Sequence, residues 1–285
     1  MTYIVTDDQQ GSTVKTVLKH TLQVSSTTLS RLRRQEGGIL RNGAPVRTID
    51  TVSTGDVLEI ALGDDAPMVG ETCPLPVVYE DGALLVLDKP AGMAVHHSTL
   101  NPDTPTVEQV VLDMGLPFHV VNRLDKGTTG LMVVAKSGYI HSILQQKLHS
   151  GDFQRTYLAI CDGCPSPLQG QINAPIGRKD GSAIARCVRD DGAVALSDYK
   201  VLSHHDDRSL VWLSPQTGRT HQLRVHMAHL GCPLTGDWLY GTENQSLITR
   251  PALHSATLTM THPLTGERLV LEAALPEDMD RLIAQ

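Results

Sequence analysis

The sequence predicts an α+β protein with a mixed, mainly antiparallel central sheet. From Val77 onward, short apolar runs alternate with turn signals such as Asp81-Gly82, a pattern typical of strands joined by short connections. The strands expected there are 77–79, 84–87, 117–122, 131–135, 155–161, 193–202, 209–214, 252–260 and 268–274. Helical periodicity is confined to 105–114, 138–149 and 220–230. Because few helices separate these strands, most of them are expected to pair as hairpins.

Residues 1–62 form a separate, smaller α+β unit in this prediction. Its expected elements are a helix with the apolar face Val14, Val17, Leu18 and Leu22, a helix over 29–35 after the cap residues 25–28, and short strands at 39–40, 46 and 57–60 around a turn at Asn42-Gly43. The stretch 63–76 is rich in Pro, Gly and acidic residues, which predicts a linker. We expect 77–285 to be one larger domain.

Composition indicates a globular protein of a reducing compartment. Apolar residues make up 40% of the 285, and no run of about 18 apolar residues predicts a transmembrane helix. The acidic N-terminus lacks the profile of a signal peptide. Five cysteines, an odd number, argue against a disulfide framework. We therefore expect a soluble, cytoplasmic protein with no membrane partner.

Charge is distributed unevenly along the chain. The formal net charge is −7, an unusual sign for a protein that binds nucleic acid. Between Ser12 and Leu62, however, seven Lys and Arg residues stand against four acidic ones, which gives a local charge of +3 and leaves −10 for the rest. Net acidity therefore does not exclude local basic surfaces for a polyanion.

The run Val121-Asn122-Arg123-Leu124-Asp125-Lys126-Gly127-Thr128-Thr129-Gly130-Leu131 is the most informative segment. It places Asp125 in a turn between two apolar runs, where a rigid strand holds a reactive group and a loop presents it. A partly buried aspartate stays ionised when a cation lies beside it. Arg219, in Thr217-Gly218-Arg219-Thr220-His221-Gln222-Leu223-Arg224, is the predicted cation because a guanidinium stays charged and pairs bidentately with a carboxylate.

Together these two runs resemble the motifs of the RluA-type RNA pseudouridine synthases. Three further stretches extend the resemblance over most of 77–280: 87–93 with His96, 230–241, and 253–267. The resemblance implies the pseudouridine synthase fold and the isomerisation of uridine to pseudouridine in structured RNA. It implies no cofactor and no metal, because the reaction involves no redox change and no external group.

The same resemblance implies roles for individual residues. Asp125 matches the family's nucleophilic aspartate, and Arg219 matches an arginine paired to it. Tyr157, in a run that resembles the family's Lys-x-Tyr-x-Ala, would line the site and stack on an extruded uracil or move a proton at the sugar. Arg123 and Leu223 are also expected at the substrate. The chain departs from the pattern at Asn122 and Arg155, where most relatives have His and Lys.

The order of helix, basic helix and hairpin in 12–62 resembles an S4 RNA-binding domain. In that family the second helix and the following loop present arginines to folded RNA. The matching positions here are Arg31, Arg33, Arg34 and Arg41. An S4-like unit beside this catalytic domain implies a large-subunit ribosomal RNA substrate, and relatives that act on tRNA leave tRNA open. A solvated basic helix face is the alternative interpretation of these arginines.

Other functions fit the sequence less well than that of a synthase. Cys161 and Cys164 form a C-x-x-C without a partner pair at zinc-site spacing, and His221, His226 and His229 lack an evident acidic or cysteine ligand, so no metal is predicted. Asp125-Lys126-Gly127-Thr128 faintly resembles the loop of aspartyl-phosphate ATPases, but the order of Gly and Thr differs. A non-catalytic RNA-binding or ribosome-assembly factor is the remaining alternative. The intact Asp125, Tyr157 and Arg219 argue against it.

Overall fold

The computed structural model describes residues 1–62, 75–97, 105–148 and 151–283. The predicted linker 63–76 lies outside the described residues except for its last two. Within the described ranges, every helix is too short or too polar to span a lipid bilayer.

Sixteen strands and six helices build the described part of the chain. The strands are β1 Thr2–Ile4, β2 Ile39–Arg41, β3 Ala44–Pro45, β4 Val57–Ile60, β5 Val77–Glu80, β6 Leu84–Lys89, β7 His119–Val120, β8 Thr129–Ala135, β9 Phe153–Asp162, β10 Gln169–Asn173, β11 Ile176–Arg178, β12 Arg186–Val188, β13 Leu196–His205, β14 Arg208–Pro215, β15 Leu253–Thr261 and β16 Arg268–Glu272. The helices are α1 Val14–Thr16, which continues as a π-helical segment over Val17–Thr21, α2 Ser26–Leu32, α3 Val107–Asp113, α4 Gly138–Lys147, α5 Gln222–His229 and α6 Glu277–Ile283.

The first 62 residues contain a small antiparallel sheet with the strand order β1-β4-β2-β3. β1 was not predicted, because three residues at the chain start carry little pattern. The second helix begins at Ser26 rather than at residue 29, since the Ser25 hydroxyl accepts a hydrogen bond from the Thr28 backbone N–H at 3.0 Å and caps it. The interpretation of this unit as an S4-like domain stays a prediction.

A ten-stranded sheet forms the body of the protein, and it is the mixed, mainly antiparallel central sheet that the sequence predicted. Its order is β10-β13-β14-β9-β15-β8-β6-β5, with β16 paired to β15 and β7 paired to β8. Among the described pairs only β15 with β8 is parallel, so the sheet is mixed and mainly antiparallel. At this junction Gly130 has φ +103° and faces the backbone of Ser255 so closely that a Cβ would overlap the Ser255 carbonyl. Only glycine fits there.

Two apolar cores cover the two faces of β6 and β8. Leu84 and Val133 pack into a core that also contains Leu18 and Leu58 of the N-terminal unit. Leu85 and Met132 point to the opposite face and belong to the second core, which extends to residues of β9 and β14. Because successive side chains of a strand point to opposite faces, a strand buried on both sides reads as a continuous apolar run. The N-terminal unit thus shares a core with the large sheet.

Three strands of the larger domain were not predicted. β10, β11 and β12 are short and mostly polar or only partly buried. An edge strand with little apolar alternation gives no period-two signal, so sequence patterns do not detect it. The β11–β12 hairpin nonetheless matters to the site, because its strand β12 contacts α5.

Candidate active site

A cleft of about 440 Å³ crosses the sheet and contains most of the predicted site residues. Its walls are the turn between β7 and β8, the strand β9, and the segment that leads into α5. Asp125, Arg123, Tyr157, Arg219 and Leu223 all line it. Residues more than 90 positions apart in the sequence therefore meet at one surface.

Asp125 faces a buried arginine that sequence reasoning did not select. The Arg224 Nη1 lies 3.5 Å from the Asp125 Oδ2. Its other two guanidinium nitrogens donate hydrogen bonds of 2.7 Å to the two carboxylate oxygens of Asp237, which is fully buried. Burial alone would lower the pKa of Arg224, but the hydrogen bonds and the charge of Asp237, together with Asp125, raise it above its usual value. The guanidinium is therefore a permanent cation beside Asp125.

The predicted pairing of Asp125 with Arg219 was wrong. Arg219 precedes α5, is exposed, and donates a hydrogen bond of 2.9 Å from Nε to the backbone carbonyl of Val194. Arg224 lies inside α5, and the helix points its side chain inward to Asp125 and Asp237. Both arginines are in the sequence run that contains the predicted cation. The helix was predicted to start at residue 220, but it starts at Gln222, and it is Arg224 that points to Asp125. Arg219 remains at the rim of the same cleft.

His221 is a second group beside Asp125. Its Nε2 lies 3.9 Å from the Asp125 Oδ2, and its Nδ1 lies 2.8 Å from the Tyr240 hydroxyl. Its φ of +57° places it in the left-handed region at the cap of α5. Burial lowers the pKa of His221 below its usual value, although the charge of Asp125 opposes this. The neutral ring has one proton: in the tautomer that accepts from the Tyr240 hydroxyl at Nδ1, this proton is on Nε2, facing Asp125.

Tyr157 forms part of the cleft floor. It is only 6% exposed and lies on β9 between Ser255 of β15 and Leu213 of β14. Burial raises the pKa of its phenol above the usual value, although the nearby cation Arg155 opposes this. A neutral, rigidly held aromatic ring at this place can stack on a planar base.

A buried lysine fixes one side of the catalytic turn. The Lys89 Nζ donates hydrogen bonds to three backbone carbonyls: Pro90 and Met93 at 2.8 Å and Lys126 at 3.3 Å. Burial and the charge of Arg250 lower the pKa of Lys89 to about 8, while Asp125 opposes this. At pH 7 the ammonium is therefore protonated, and each of its three N–H groups has an acceptor. Lys89 holds the residue that follows Asp125.

Arg250 fixes the next residue of the same turn. Its Nε and Nη2 donate hydrogen bonds of 2.7 Å to Asp278 at the C-terminal helix α6, and its Nη1 donates to the Gly127 carbonyl at 3.3 Å. Sequence reasoning missed the roles of both Lys89 and Arg250. A charged residue at the end of a strand is ordinarily exposed, and only the fold shows that these two are buried.

The Asn122 departure has a structural explanation. Its side chain is 2% exposed; the Oδ1 accepts from the Val133 backbone N–H at 2.8 Å, and the Nδ2 donates to the Leu131 carbonyl at 3.2 Å. The amide thus acts as one more hydrogen-bonded partner of β8. It anchors the turn that presents Asp125, three residues later in the chain.

The cleft is electropositive although the protein is acidic. Among the described residues that line it, four are arginines and one, Asp125, is a carboxylate. The arginines are Arg123, Arg155, Arg219 and Arg224. This local charge of +3 suits a polyanionic substrate.

The four predicted RNA-binding arginines lie in the N-terminal unit, away from the cleft lining. Arg33 and Arg34 are exposed just after α2. Arg31 donates from Nη2 to the Leu62 carbonyl at 3.4 Å. Arg41 donates to the Thr51 carbonyl at 2.6 Å and lies 3.9 Å from Asp56. Within this set, Arg33 and Arg34 have the exposure that contact with RNA requires.

His226 and Cys161, from the histidine and cysteine motifs, are buried within the fold. His226 is buried and contacts the Ser197 hydroxyl at 2.9 Å and the Ala174 carbonyl at 3.0 Å. Burial raises the pKa of Cys161 well above its usual value, which disfavours the thiolate that a metal or redox site needs. Across the described ranges, no group of three or more His, Cys, Asp or Glu residues is arranged to hold a metal ion.

Comparison with known proteins identifies the family of this chain. The family model described as RNA pseudouridylate synthase matches residues 83–229. The chain is 36% identical over 270 residues to the RNA pseudouridine synthase YjbO of Bacillus subtilis, covering 92% of this chain and 95% of that protein. It is 38% identical over 264 residues to the ribosomal large subunit pseudouridine synthase D of Pseudomonas aeruginosa, covering 86% and 82%.

A solved structure shows the same fold. Human RNA pseudouridylate synthase domain containing 4 superposes with a TM-score of 0.60 at 28% sequence identity, covering 73% of this chain and 91% of that one. The extent of the sequence matches and the shared fold lead to one conclusion. The chain belongs to the RNA pseudouridylate synthases, enzymes that isomerise uridine to pseudouridine within RNA.

Proposed function

We propose that this enzyme modifies uridine in large-subunit ribosomal RNA, with Asp125 as the carboxylate that reacts with the nucleotide. The observation that carries the proposal is the position of Asp125 in an electropositive cleft, 3.5 Å from a guanidinium that a buried carboxylate orients. Two relatives that support the ribosomal substrate are named ribosomal large subunit pseudouridine synthase D, from Pseudomonas aeruginosa and Xanthomonas campestris. A ribosomal RNA substrate also implies a cytoplasmic location.

The reaction breaks the bond between N1 of uracil and C1′ of the ribose and forms a bond between C5 and C1′. The C5 proton leaves, and N1 ends with a proton, so the base is isomerised with no change in composition. A uracil inside a helix is unreachable, so the nucleotide must be extruded into the cleft. Tyr157 would stack on the base and hold it while the glycosidic bond is broken.

Asp125 has the environment that a reactive carboxylate needs. Arg224 and His221 lie on one side of it, and the turn that carries it is held by Lys89 and Arg250. The carboxylate would attack either the base or C1′, or assist a route through a glycal; each uses the same position of Asp125.

Binding of the RNA backbone would use the arginines at the cleft rim and in the N-terminal unit. Arg123 and Arg219 are exposed at the cleft, and Arg33 and Arg34 are exposed near α2. Such contacts supply affinity and register, while the cleft selects the uridine. We retain the S4-like interpretation of residues 1–62 as part of this proposal.

Pseudouridine mapping in cells tests the proposal. Ribosomal RNA and tRNA would be mapped with and without the gene, and after complementation with wild type or Asp125→Asn. Loss of one or more sites in large-subunit RNA, restored by wild type alone, is the expected result. Loss confined to tRNA would contradict the ribosomal substrate, and restoration by Asp125→Asn would contradict the role of the carboxylate. If no pseudouridine is lost, a non-catalytic RNA-binding function gains support over the proposal.

A further inference from the structure

A buried arginine beside Tyr157 lacks the partner that every similar arginine in the described residues has. Arg155, Arg224 and Arg250 are the buried arginines of the described chain, each 5–9% exposed. Arg224 is paired bidentately with Asp237, and Arg250 with Asp278. The Arg155 side chain makes no ion pair and no hydrogen bond with a described residue, and its Nε is fully enclosed without a partner. It is thus a largely buried charge without a partner among the described residues.

An unpaired buried guanidinium is unfavourable for folding. Arginine does not deprotonate to escape its environment, so the lost hydration must be compensated by another interaction. Among the described residues, the Phe153 ring compensates in part, since its centroid lies 5.9 Å from the guanidinium carbon. A charge kept in this state indicates a site that is completed by a ligand.

The position of Arg155 identifies where that ligand would lie. Arg155 and Tyr157 are two residues apart on β9, so their side chains point to the same face, separated by about 7 Å along the strand. Both line the cleft, whose lining also includes Val121, Gln145 and Leu148. The carboxylate of the cleft, Asp125, is already beside Arg224. Arg155 therefore faces the substrate space next to the place of the base.

We infer that Arg155 is a phosphate-binding residue that holds a backbone phosphate adjacent to the extruded uridine. The inference rests on the enzyme's action on RNA. At neutral pH the phosphodiester is the anionic group of RNA, whereas uracil is neutral and offers only carbonyl acceptors. A guanidinium matches a phosphate with two parallel N–H donors, and in a dry site such charge-assisted hydrogen bonds are strong. This contact fixes the backbone on one side of the nucleotide while Tyr157 holds the base.

The test combines substitutions with single neutral phosphates. The RNA is a short transcript that the wild-type enzyme has been shown to modify, so that action on RNA is verified before Arg155 is examined. Affinity is measured in the Asp125→Asn background with Arg155→Gln, with Arg155→Lys, and with Arg268→Gln. Arg268 is exposed on β16 outside the cleft lining, so its substitution removes the same charge without touching the proposed site.

We expect Arg155→Gln to weaken binding about 10- to 100-fold, and Arg268→Gln to leave it nearly unchanged. The slope of log affinity against log salt should fall by about 0.7 for Arg155→Gln, the value for one phosphate on a single strand. Arg155→Lys should keep the salt slope. Removal of an unpaired buried charge should leave the melting temperature equal or higher, which separates a binding defect from misfolding.

Methylphosphonate scanning identifies the phosphate. A single neutral linkage beside the target uridine should weaken binding to the enzyme with Arg155 by a similar factor and have no further effect on Arg155→Gln. If every neutral linkage weakens RNA binding by the same factor in the enzyme with Arg155 and in Arg155→Gln, Arg155 does not bind phosphate and the inference is wrong. It is equally overturned if Arg155→Gln weakens binding with an unchanged salt slope, because that result indicates a bond to an uncharged carbonyl of the base.

Discussion

Arg224 donates two hydrogen bonds of 2.7 Å to Asp237, and this pair determines where its third nitrogen points. Because Nε and Nη2 are held in the plane of the Asp237 carboxylate, Nη1 is directed at the Asp125 Oδ2, 3.5 Å away. Asp237 is itself held by the backbone N–H groups of Leu239 and Tyr240 at 3.0 and 3.2 Å. The orientation of the cation beside the reactive carboxylate is thus fixed by a buried acid remote from the substrate.

Asp237 is therefore expected to act as a positioning residue. Asp237→Asn removes one charge of a buried pair and leaves the Arg224 guanidinium unpaired, which should lower the free energy of unfolding by about 3–5 kcal/mol. Below the melting temperature, kcat should fall more than KM rises, because the misdirected cation affects the reacting carboxylate. Urea unfolding and single-turnover rates check this. Asp190→Asn, in an exposed turn, is the matched control, and an Asp237→Asn enzyme with normal kcat would refute the positioning role.

Asn122 should stabilise the catalytic turn through its two hydrogen bonds to β8. Asn122→Ala leaves the Val133 N–H and the Leu131 carbonyl without these partners in a buried place, at a cost of about 1–3 kcal/mol. Asn173→Ala, on the exposed side of the edge strand β10, should change stability by less than about 0.5 kcal/mol. Equal urea midpoints for the two variants would show that the Asn122 amide does not stabilise the turn.

Lys89 should make stability depend on pH in the alkaline range. Its pKa in the folded protein is about 8, below the usual value of 10.5, so between these two values the unfolded chain binds more protons than the folded one. The free energy of unfolding attributable to Lys89 therefore rises with pH from about 8 to 10.5, by about 2 kcal/mol between pH 7.5 and 9.5. Lys89→Met should remove this rise. Urea unfolding of both proteins at the two pH values measures the difference, and identical pH dependence would contradict the assigned pKa.

Gly130 should be irreplaceable at the parallel junction of β8 and β15. An alanine would face both the positive φ of +103° and the Ser255 backbone, so Gly130→Ala should lower stability by more than about 2 kcal/mol. Gly82→Ala has open space and an ordinary φ, and it should be tolerated. Thermal unfolding distinguishes the two. Similar melting temperatures would mean that the backbone relaxes around the new Cβ.

The sequence predicted those site residues that stand in short local motifs. Asp125 and Tyr157 stand in short runs whose residue types identify a reactive turn and a strand, and the structure places both in one cleft. The arginine beside Asp125 was predicted wrongly because Arg219 and Arg224 are five residues apart, and only the start of α5 at Gln222 decides which one points inward. The spacing of apolar residues in a sequence predicts which face of a helix is buried, but it does not predict the residue at which the helix begins.

The supporting residues could not be predicted for a different reason. Lys89, Arg250 and Asp237 are charged, and burial of a charge depends on partners that are distant in sequence. Lys89 reaches a carbonyl 37 residues away, and Arg250 reaches one 123 residues away. No local pattern contains that information, so these roles follow only from the assembled sheet. The mostly polar strands β10 to β12 were missed because their stability comes from backbone pairing rather than from apolar side chains.

The central claim is that the Asp125 carboxylate carries out the isomerisation. Tritium release from RNA labelled at C5 of uridine tests it most directly, because formation of the C5–C1′ bond expels that hydrogen. Wild type should release one tritium for each uridine converted. Asp125→Asn should bind the RNA with similar affinity and release tritium at least about 1,000-fold more slowly. Release by Asp125→Asn at a rate near that of wild type would contradict the claim.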